Sequence, residues 1–429
     1  MNAIQEKQHR ENGLKLHFIQ SKKYKTINIV AKLRAPLEKE TITKRALLPY
    51  ILKQGTKNYP SRSEFQLKLD DLYGAVLSVD GGKKGENHII TVRLEFANEK
   101  FLPEESSIID EAISLFSEIL FQPNVNENGF DESIFKREKD TLKQKINAIQ
   151  DDKMSYANMR LIDEMCENEP YQLHVHGYEE ELDTMTNEDL YNYYQTIFNE
   201  NELDVYVLGD FDEAAIKEKI TSKMTINQQK LPEFNPSQAI KSVSKSQEVI
   251  EKQNVQQAKL HIGYRTNIIF QDDDYFALQV FNGVFGSFPS SKLFINVREK
   301  NSLAYYASSR MESHKGLLFV FSGIAPNDFE KARDIIRLQV TAMKDGDFTE
   351  EELSETKDLI INQLKETMDH PQGLIELLYQ QVIGNKTLTP DQLIEGIRNV
   401  TKDEVIQVAG KIEEDTVYLL TSEGGSKDE

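Results

Sequence analysis

The stretch Phe348–Thr367, FTEEELSETKDLIINQLKET, has a counterpart 218 residues earlier in Phe130–Gln150, where a long polar helix is predicted from Asp131 to about Asp151. The elements flanking the two come in one order. Before Phe130, apolar alternation predicts strands at Ile27–Leu33, Val76–Val79 and His88–Phe96. A helix over Lys44–Lys53 is closed by Gly55, and a helical stripe runs through Ile108, Ala112, Ile113, Phe116, Ile119 and Leu120. After it come a helix over Met154–Glu167, a second over Thr186–Phe198 with Thr186 as N-cap, and a buried strand at Asp204–Leu208. Around Phe348 the layout recurs: strand Lys259–Tyr264, helix Tyr275–Phe285 ending at Gly286, strands at Tyr305–Ser309 and Gly316–Ser322, and helix Asp328–Asp345. Thr401–Gly410 then echoes Thr186–Gln195, ahead of strand Val417–Leu420.

Unlike elements keep a nearly constant separation: 231 residues from Gly55 to Gly286, 218 from Phe130 to Phe348, and 215 from Thr186 to Thr401. One supersecondary plan written twice is the simplest source of such a pattern. The expected fold class is therefore α+β, with two homologous halves, residues 1–220 and 247–429. Between them, Thr221–Ser246 is rich in Gln, Ser, Asn, Lys and Pro, a linker composition long enough for the halves to close on each other like a clam.

The 429 residues carry a formal charge of −20, which argues against a nucleic-acid partner. The acid is uneven: residues 1–100 sum to +8, 101–200 to −16, 201–300 to −1 and 301–429 to −11. It thus gathers in the helical later part of each repeat, as a solubility feature. Hydrophobic residues at 39% suffice for packed cores. No apolar run approaches a membrane span, and Met1–Arg10 lacks the apolar core of a signal peptide, so a cytoplasmic protein without a membrane partner is expected.

Side chains able to do chemistry are sparse. The eight histidines include no His-x-x-Glu-His or His-Glu-x-x-His helix pair. His174-x-His176 is the one close pair, and a turn before Gly177 explains it more simply than a metal site. Cys166, the single cysteine, shares a helix with Ile162 and Met165 and reads as a buried structural thiol. Gly286–Ser291 lacks the Gly-Lys-Ser/Thr ending of a phosphate loop, and the clusters Glu179–Glu181 and Asp272–Asp274 read as solvated loops. Ser291–Ser309, SKLFINVREKNSLAYYASS, is less plain. Arg298 offers a planar fork for a carbonyl or carboxylate, and Tyr305 a hydroxyl and a ring face. On spacing alone a surface Arg and a sheet Tyr without a joint role are favoured.

These residues carry a resemblance. Ser291-Lys292-Leu293-Phe294, then Arg298-Glu299-Lys300, then Leu303-Ala304-Tyr305 resemble the second-half segment of the pitrilysin or insulinase (M16) family of zinc metallopeptidases, relatives of the mitochondrial processing peptidase. Gly55-Thr56 with Tyr59-Pro60 resembles the segment after that family's zinc helix. Gly177, Leu182, Thr186, Glu188-Asp189-Leu190, Tyr194 and Val205–Asp210 are similar to its later pattern, so the resemblance covers nearly the whole chain. It implies halves built of a mostly antiparallel sheet with helices packed on it. It also implies that Arg298 and Tyr305 bind substrate.

The zinc side departs from the pattern. Counting back from Gly55 puts Ala46 and Tyr50 at the two histidine positions and Pro49 at the general base. Glu138 is similar to the first glutamate of the family's Glu-x(6)-Glu pair, but Lys145 stands where the ligand would be. Such a set neither ligates zinc nor takes a proton from its water. The resemblance implies the inactive chain of a two-chain peptidase, without a cofactor or metal of its own and without cleavage alone. Zinc is expected in a homologous His-x-x-Glu-His partner, and the substrate is a peptide or unfolded protein. The processing peptidase's inactive subunit has a long glycine-rich loop where this chain has only Gly286–Ser291. Two other readings stand beside this one: a purely structural subunit, and an active peptidase using an unrecognised site such as His174 and His176.

Overall fold

The computed structural model describes residues 5–102, 107–126, 129–226 and 241–422. The chain divides into two compact units, Met1–Ala148 with Leu173–Phe234, and Ile149–Gln172 with Asn235–Glu429.

The strands of the first unit are β1 (Glu6–Glu11), β2 (Leu14–Gln20), β3 (Thr26–Pro36), β4 (Val76–Lys84), β5 (Asn87–Ala97), the two-residue pair β6 (Val125–Asn126) and β7 (Gly129–Phe130), and β8 (Glu202–Gly209). Six of them form one sheet in the order β1-β2-β8-β3-β5-β4, antiparallel except for β2 beside β8. Period-two patterning makes β5 a strand: Ile90, Val92, Leu94 and Phe96 enter the core, while Arg93 between them bonds Asn28 Oδ1 across the other face. The helices are α1 (Lys39–Leu52), α2 (Arg62–Asp71), α3 (Ile108–Phe121), α4 (Glu132–Asp151), α5 (Lys153–Met165), α6 (Glu179–Thr184), α7 (Asn187–Glu200) and α8 (Glu213–Lys223). All of these lie in the first unit except α5 and the last residues of α4, from Ile149 on. The expected stripe of α3 is buried throughout, from Ile108 to Leu120.

The second unit repeats the plan. Strands β9 (Gln247–Lys252), β10 (Ala258–Arg265), β11 (Ala304–Glu312), β12 (Leu317–Ile324) and β13 (Glu413–Thr421) order as β11-β12-β10-β13-β9, again with one parallel pair, β9 beside β13. This is the first sheet strand for strand, without β1. Helices α9 (Tyr275–Asn282), α10 (Phe329–Lys344), α11 (Glu350–Asp369), α12 (Pro371–Ile383), α13 (Pro390–Asn399) and α14 (Lys402–Lys411) follow in matching sequence. The landmarks also match in chemistry. Thr186 and Thr401 each close a capping box, with Asp189 and Glu404. Asp131, by accepting from the Ser133 and Ile134 amides, opens α4 as Thr349 opens α11.

Three expectations need adjustment. The helix read over Tyr275–Phe285 ends at Asn282 and passes into a π-helical turn, Gly283–Ser287. Gly286 is no helix stop there. A Cβ on it would sit 2.4 Å from Ser309 Oγ, so the turn approaches β11 closely because that residue has no side chain. The segment Ile149–Gln172, read as part of the first half, belongs to the second unit. Its helix α5 lays Ala157, Leu161, Ile162, Met165 and the buried Cys166 on Leu317, Phe319, Tyr418 and Leu420 of the second sheet. Of the segment read as a linker, Thr221–Lys223 completes α8 and residues 227–240 lie outside the described residues. Among the described residues no helix is long and apolar enough to cross a membrane.

Candidate functional site

The helix that carries zinc in the resembled family corresponds to α1, and its sequence KETITKRALLPYIL buries nearly every side chain after Lys44. Ala46 is in the core. Pro49, inside the helix, has no amide to donate to the Arg45 carbonyl. It faces the edge strand β4: a Cβ on Gly81 would lie 3.9 Å from Pro49 Cγ and 3.3 Å from the His88 ring. Tyr50 is half-buried with the Lys53 ammonium 4.5 Å from its ring centre. Burial raises the Tyr50 pKa, and the charges of Asp80 and Glu138 push it the same way, so the phenol stays protonated.

On α4, Glu138 is buried and takes a 2.8 Å bond from Arg137 Nε, while Arg137 also binds Gln54 Oε1 at 2.9 Å. Lys145, two turns on, is exposed. The pKa of His176 is pushed down to about 4, by burial first and then by the charges of Lys145 and His174. His174-x-His176 thus lies in a turn at this corner, as read, with His174 stacked on Tyr178 at 4.9 Å. The structure places Tyr50 within electrostatic reach of Asp80 and Glu138, and His176 within reach of Lys145.

A methyl, a pyrrolidine, a phenol and an ammonium do not fit zinc. Among the described residues no three His, Cys, Asp or Glu side chains converge as a metal requires, which leaves His174 and His176 without a third ligand.

Sequence reasoning missed the residue that organises this corner. Arg45 is fully buried, and all five guanidinium donors are used: Nε to His88 Nδ1 (3.1 Å), Nη1 to Tyr193 Oη (3.3 Å) and Asn201 Oδ1, and Nη2 to the carbonyls of Leu33 (2.8 Å) and His88 (3.1 Å). Every acceptor is neutral. Burial, then Arg45, press the His88 pKa down to about 3, so the ring is neutral and its Nδ1 accepts from Arg45. A lone Arg in an apolar helix was the available signal.

In the second unit, Arg298 lies on a π-helical turn, Phe294–Glu299, with its guanidinium 4.6 Å from the Phe294 ring centre. Tyr305 opens β11, the sheet's edge strand, and is 73% exposed. Register explains that exposure. Ala304 pairs with Ile324 and Tyr306 with Gly323, leaving Tyr305 as the extra residue of a β-bulge, which turns its side chain out of the ladder. Tyr306 turns inward instead, into space that a Cβ on Gly323 would close at 2.5 Å. Arg298 and Tyr305 are both open to solvent on the two sides of one turn, with no hydrogen bond between them.

The family described as the peptidase M16 inactive domain matches residues 184–360. The probable inactive metalloprotease YmfF of Bacillus subtilis (strain 168) is 45% identical over 426 residues, covering 99% of this chain and 100% of that protein. An uncharacterized zinc protease of the same organism, YmxG, is 22% identical over 77% of this chain and 80% of its own length. Among solved structures, a conserved protein from Enterococcus faecalis V583 superposes with a TM-score of 0.90 at 32% identity, covering 98% of this chain and 100% of that one. The peptidase M16 inactive domain from Pseudomonas fluorescens, at 14% identity and a TM-score of 0.79 over the full length of both, shares the fold. The chain belongs to the peptidase M16 family, as one of its inactive members.

Proposed function

We propose that this chain is the non-catalytic subunit of a cytoplasmic two-chain zinc peptidase. It binds an extended peptide or unfolded protein through Arg298 and Tyr305, and a separate homologous subunit carrying His-x-x-Glu-His and the zinc cleaves it. The observation that carries this reading is the contrast between the two units: α1 and α4 keep nothing that holds a metal, whereas the bulge at Tyr305 spends a ladder position on an exposed phenol. Arg298, stacked on Phe294, is a held guanidinium that presents donors to a peptide carbonyl or carboxylate. Backbone pairing to an open sheet edge would supply the sequence-independent part of peptide affinity.

The test is to purify the chain alone and with a homologous zinc-bearing subunit, then measure bound zinc and peptide cleavage. The lone chain is expected to hold no stoichiometric zinc and to cleave nothing. In the reconstituted pair, Arg298→Ala and Tyr305→Phe should each lower kcat/KM about tenfold, the loss of one hydrogen bond to a charged or polarised group. Zinc and activity in the lone chain would overturn the reading. Wild-type saturation curves for both variants would remove the two residues from the site, and a pair that assembles but cleaves no peptide would favour a purely structural subunit.

A further inference from the structure

We propose that β1, the strand the second sheet lacks, is a proton-gated edge strand, clasped to the first sheet by His17 and released from its Glu6 end when that imidazole loses a proton. Its release uncovers the backbone edge of β2.

The first argument is composition. β1 reads EKQHRE and brings no apolar side chain to the core, so hydrophobic burial does not hold it. Its backbone pairs with β2 from Glu6 opposite Ile19 to Glu11 opposite Leu14, and the left-handed turn Asn12–Gly13 ties the Glu11 end. Side chains supply the rest. On one face, Lys7 Nζ and His9 Nε2 lie 2.8 and 3.0 Å from the carboxylate of Glu213 on α8, and Lys217 Nζ lies 2.7 Å from Glu11. Those pairs are partly exposed and each carries little weight. On the other face, Glu6 reaches the buried ring of His17. The second sheet shows that the plan stands without this strand, because β9, the counterpart of β2, is itself an edge.

The second argument is the proton count. His17 Nδ1 lies 2.6 Å from Glu6 Oε1, and Nε2 lies 2.9 Å from Asp204 Oδ1. Carboxylates only accept, so both contacts are hydrogen bonds when the ring carries two protons. Burial would lower the His17 pKa, but the bonds to Asp204 and Glu6 raise it. Around the ring, Tyr206 stacks at 4.1 Å, Arg10 of β1 stands opposite Lys15, and Lys15 and Arg34 pair with Glu202. A neutral ring has one N–H for two carboxylates. Asp204 is fully buried between Lys15 and Lys32 on the flanking strands and cannot turn to water, whereas Glu6, on the edge strand, can. The N–H therefore stays with Asp204, the Nδ1 lone pair faces the Glu6 carboxylate, and that end of β1 parts. Because the folded pKa is the raised one, the clasp is complete below the unfolded value of about 6.5 and is lost as pH rises through the folded value.

The test is amide hydrogen exchange of the full chain at about pH 6 and about pH 9, corrected for intrinsic rates and read residue by residue. Protection of the β1 amides bonded to β2 should fall about tenfold at the higher pH, the loss of one charge-assisted hydrogen bond, and fall most at the Glu6 end. The amides of β3 should keep theirs. Glu6→Gln should abolish the fall, because an amide accepts from a protonated Nδ1 and donates to a bare one. His17→Gln should leave β1 equally weak at both pH values, and His9→Gln, which removes the imidazole of the other face, should keep the wild-type fall. Unchanged β1 protection in the wild type overturns the clasp, as does a wild-type fall in Glu6→Gln or an equal loss in β3. A fall that disappears in His9→Gln assigns the gate to His9 and overturns it too. If His17→Gln does not fold, Glu6→Gln, at a partly exposed edge position, still decides.

Discussion

At the scale of single residues, the stability of the first unit leans on Arg45. Replacing it with Ala leaves the Leu33 and His88 carbonyls, Asn201 Oδ1 and His88 Nδ1 without their donor in a dry interior. The expected cost is about 3 kcal/mol or more, read as a fall in the urea midpoint at unchanged slope. Arg45→Lys should recover only part of it, because an ammonium has three donors for five acceptors. A change within experimental error would show that water or neighbouring groups replace the guanidinium. Protonation gives a second residue-scale expectation. His88 and His261 are both pressed down to about 3, by burial first and then by Arg45 and Lys259 respectively. Glu169 is held at about 2, because Arg265, Lys241 and Lys315 outweigh the burial that would raise it. All three folded values lie below the unfolded ones, so the unfolded chain binds more protons and these groups stabilise fully only above their unfolded pKa values. Their contribution falls below about 6.5 for the histidines and below about 4.5 for Glu169. His17 works in the opposite direction: burial would lower it, but bonds to Asp204 and Glu6 raise it, so its contribution fades as pH rises. With His176 also pressed down to about 4, three histidines outweigh one, and urea midpoints should decline from pH 7 to 5. In Glu169→Gln the further decline below 4.5 should be shallower, and a flat profile across the range would remove this account.

At the scale of elements, α1 shows how a helix keeps its place while its chemistry changes. Ala46 and Tyr50 are one turn apart on one face, and α4 carries Lys145 two turns beyond Glu138. If those positions are assigned correctly, Ala46→His, Tyr50→His and Lys145→Glu together should give a chain that binds zinc stoichiometrically, measured by metal analysis after dialysis. It should still cleave nothing, because Pro49 supplies no base. Zinc binding absent in a variant that folds, as judged by circular dichroism, would show that the register from Gly55 is wrong. Much at this scale was legible in sequence. The alternation in β3 and β5, the stripe of α3 and the Thr caps of α7 and α14 each rest on residues within one element. What escaped depends on partners far along the chain. Arg45 meets His88 and Asn201 at separations of 43 and 156 residues, and the bulge at Tyr305 exists only in register with β12. Strands such as β9, QEVIEK, were missed because exposed edges carry no apolar period.

At the scale of the whole molecule, the repeat read from sequence is present strand for strand, but the chain does not respect its boundary. The second sheet has an apolar face bearing Leu317, Phe319, Tyr418 and Leu420, and the segment Ile149–Gln172 covers it from the first half of the sequence. The fit is close: Gly263 has no side chain where a Cβ would stand 2.4 Å from Met165 Sδ. Beside it, Arg265 binds Glu169 at 2.6 Å and the Met165 carbonyl, and Glu251 accepts from Tyr156 and Tyr418 at 2.7 Å. A second half cut at the apparent repeat boundary, residues 241–422, would therefore expose that face and lose both polar networks. We expect this fragment alone to be aggregation-prone and rapidly digested, and a synthetic peptide of residues 149–172 added in trans to restore protease resistance and a cooperative melt. Gly263→Leu in the full chain should act on the same seat, displacing Met165 and lowering the melting temperature. If the fragment resists protease and melts cooperatively without the peptide, α5 is an accessory to the second unit instead of part of its core. The first repeat gives a helix to the second unit because it covers an apolar face of that unit's sheet, so the sequence period gives the order of elements and the apolar faces give the units.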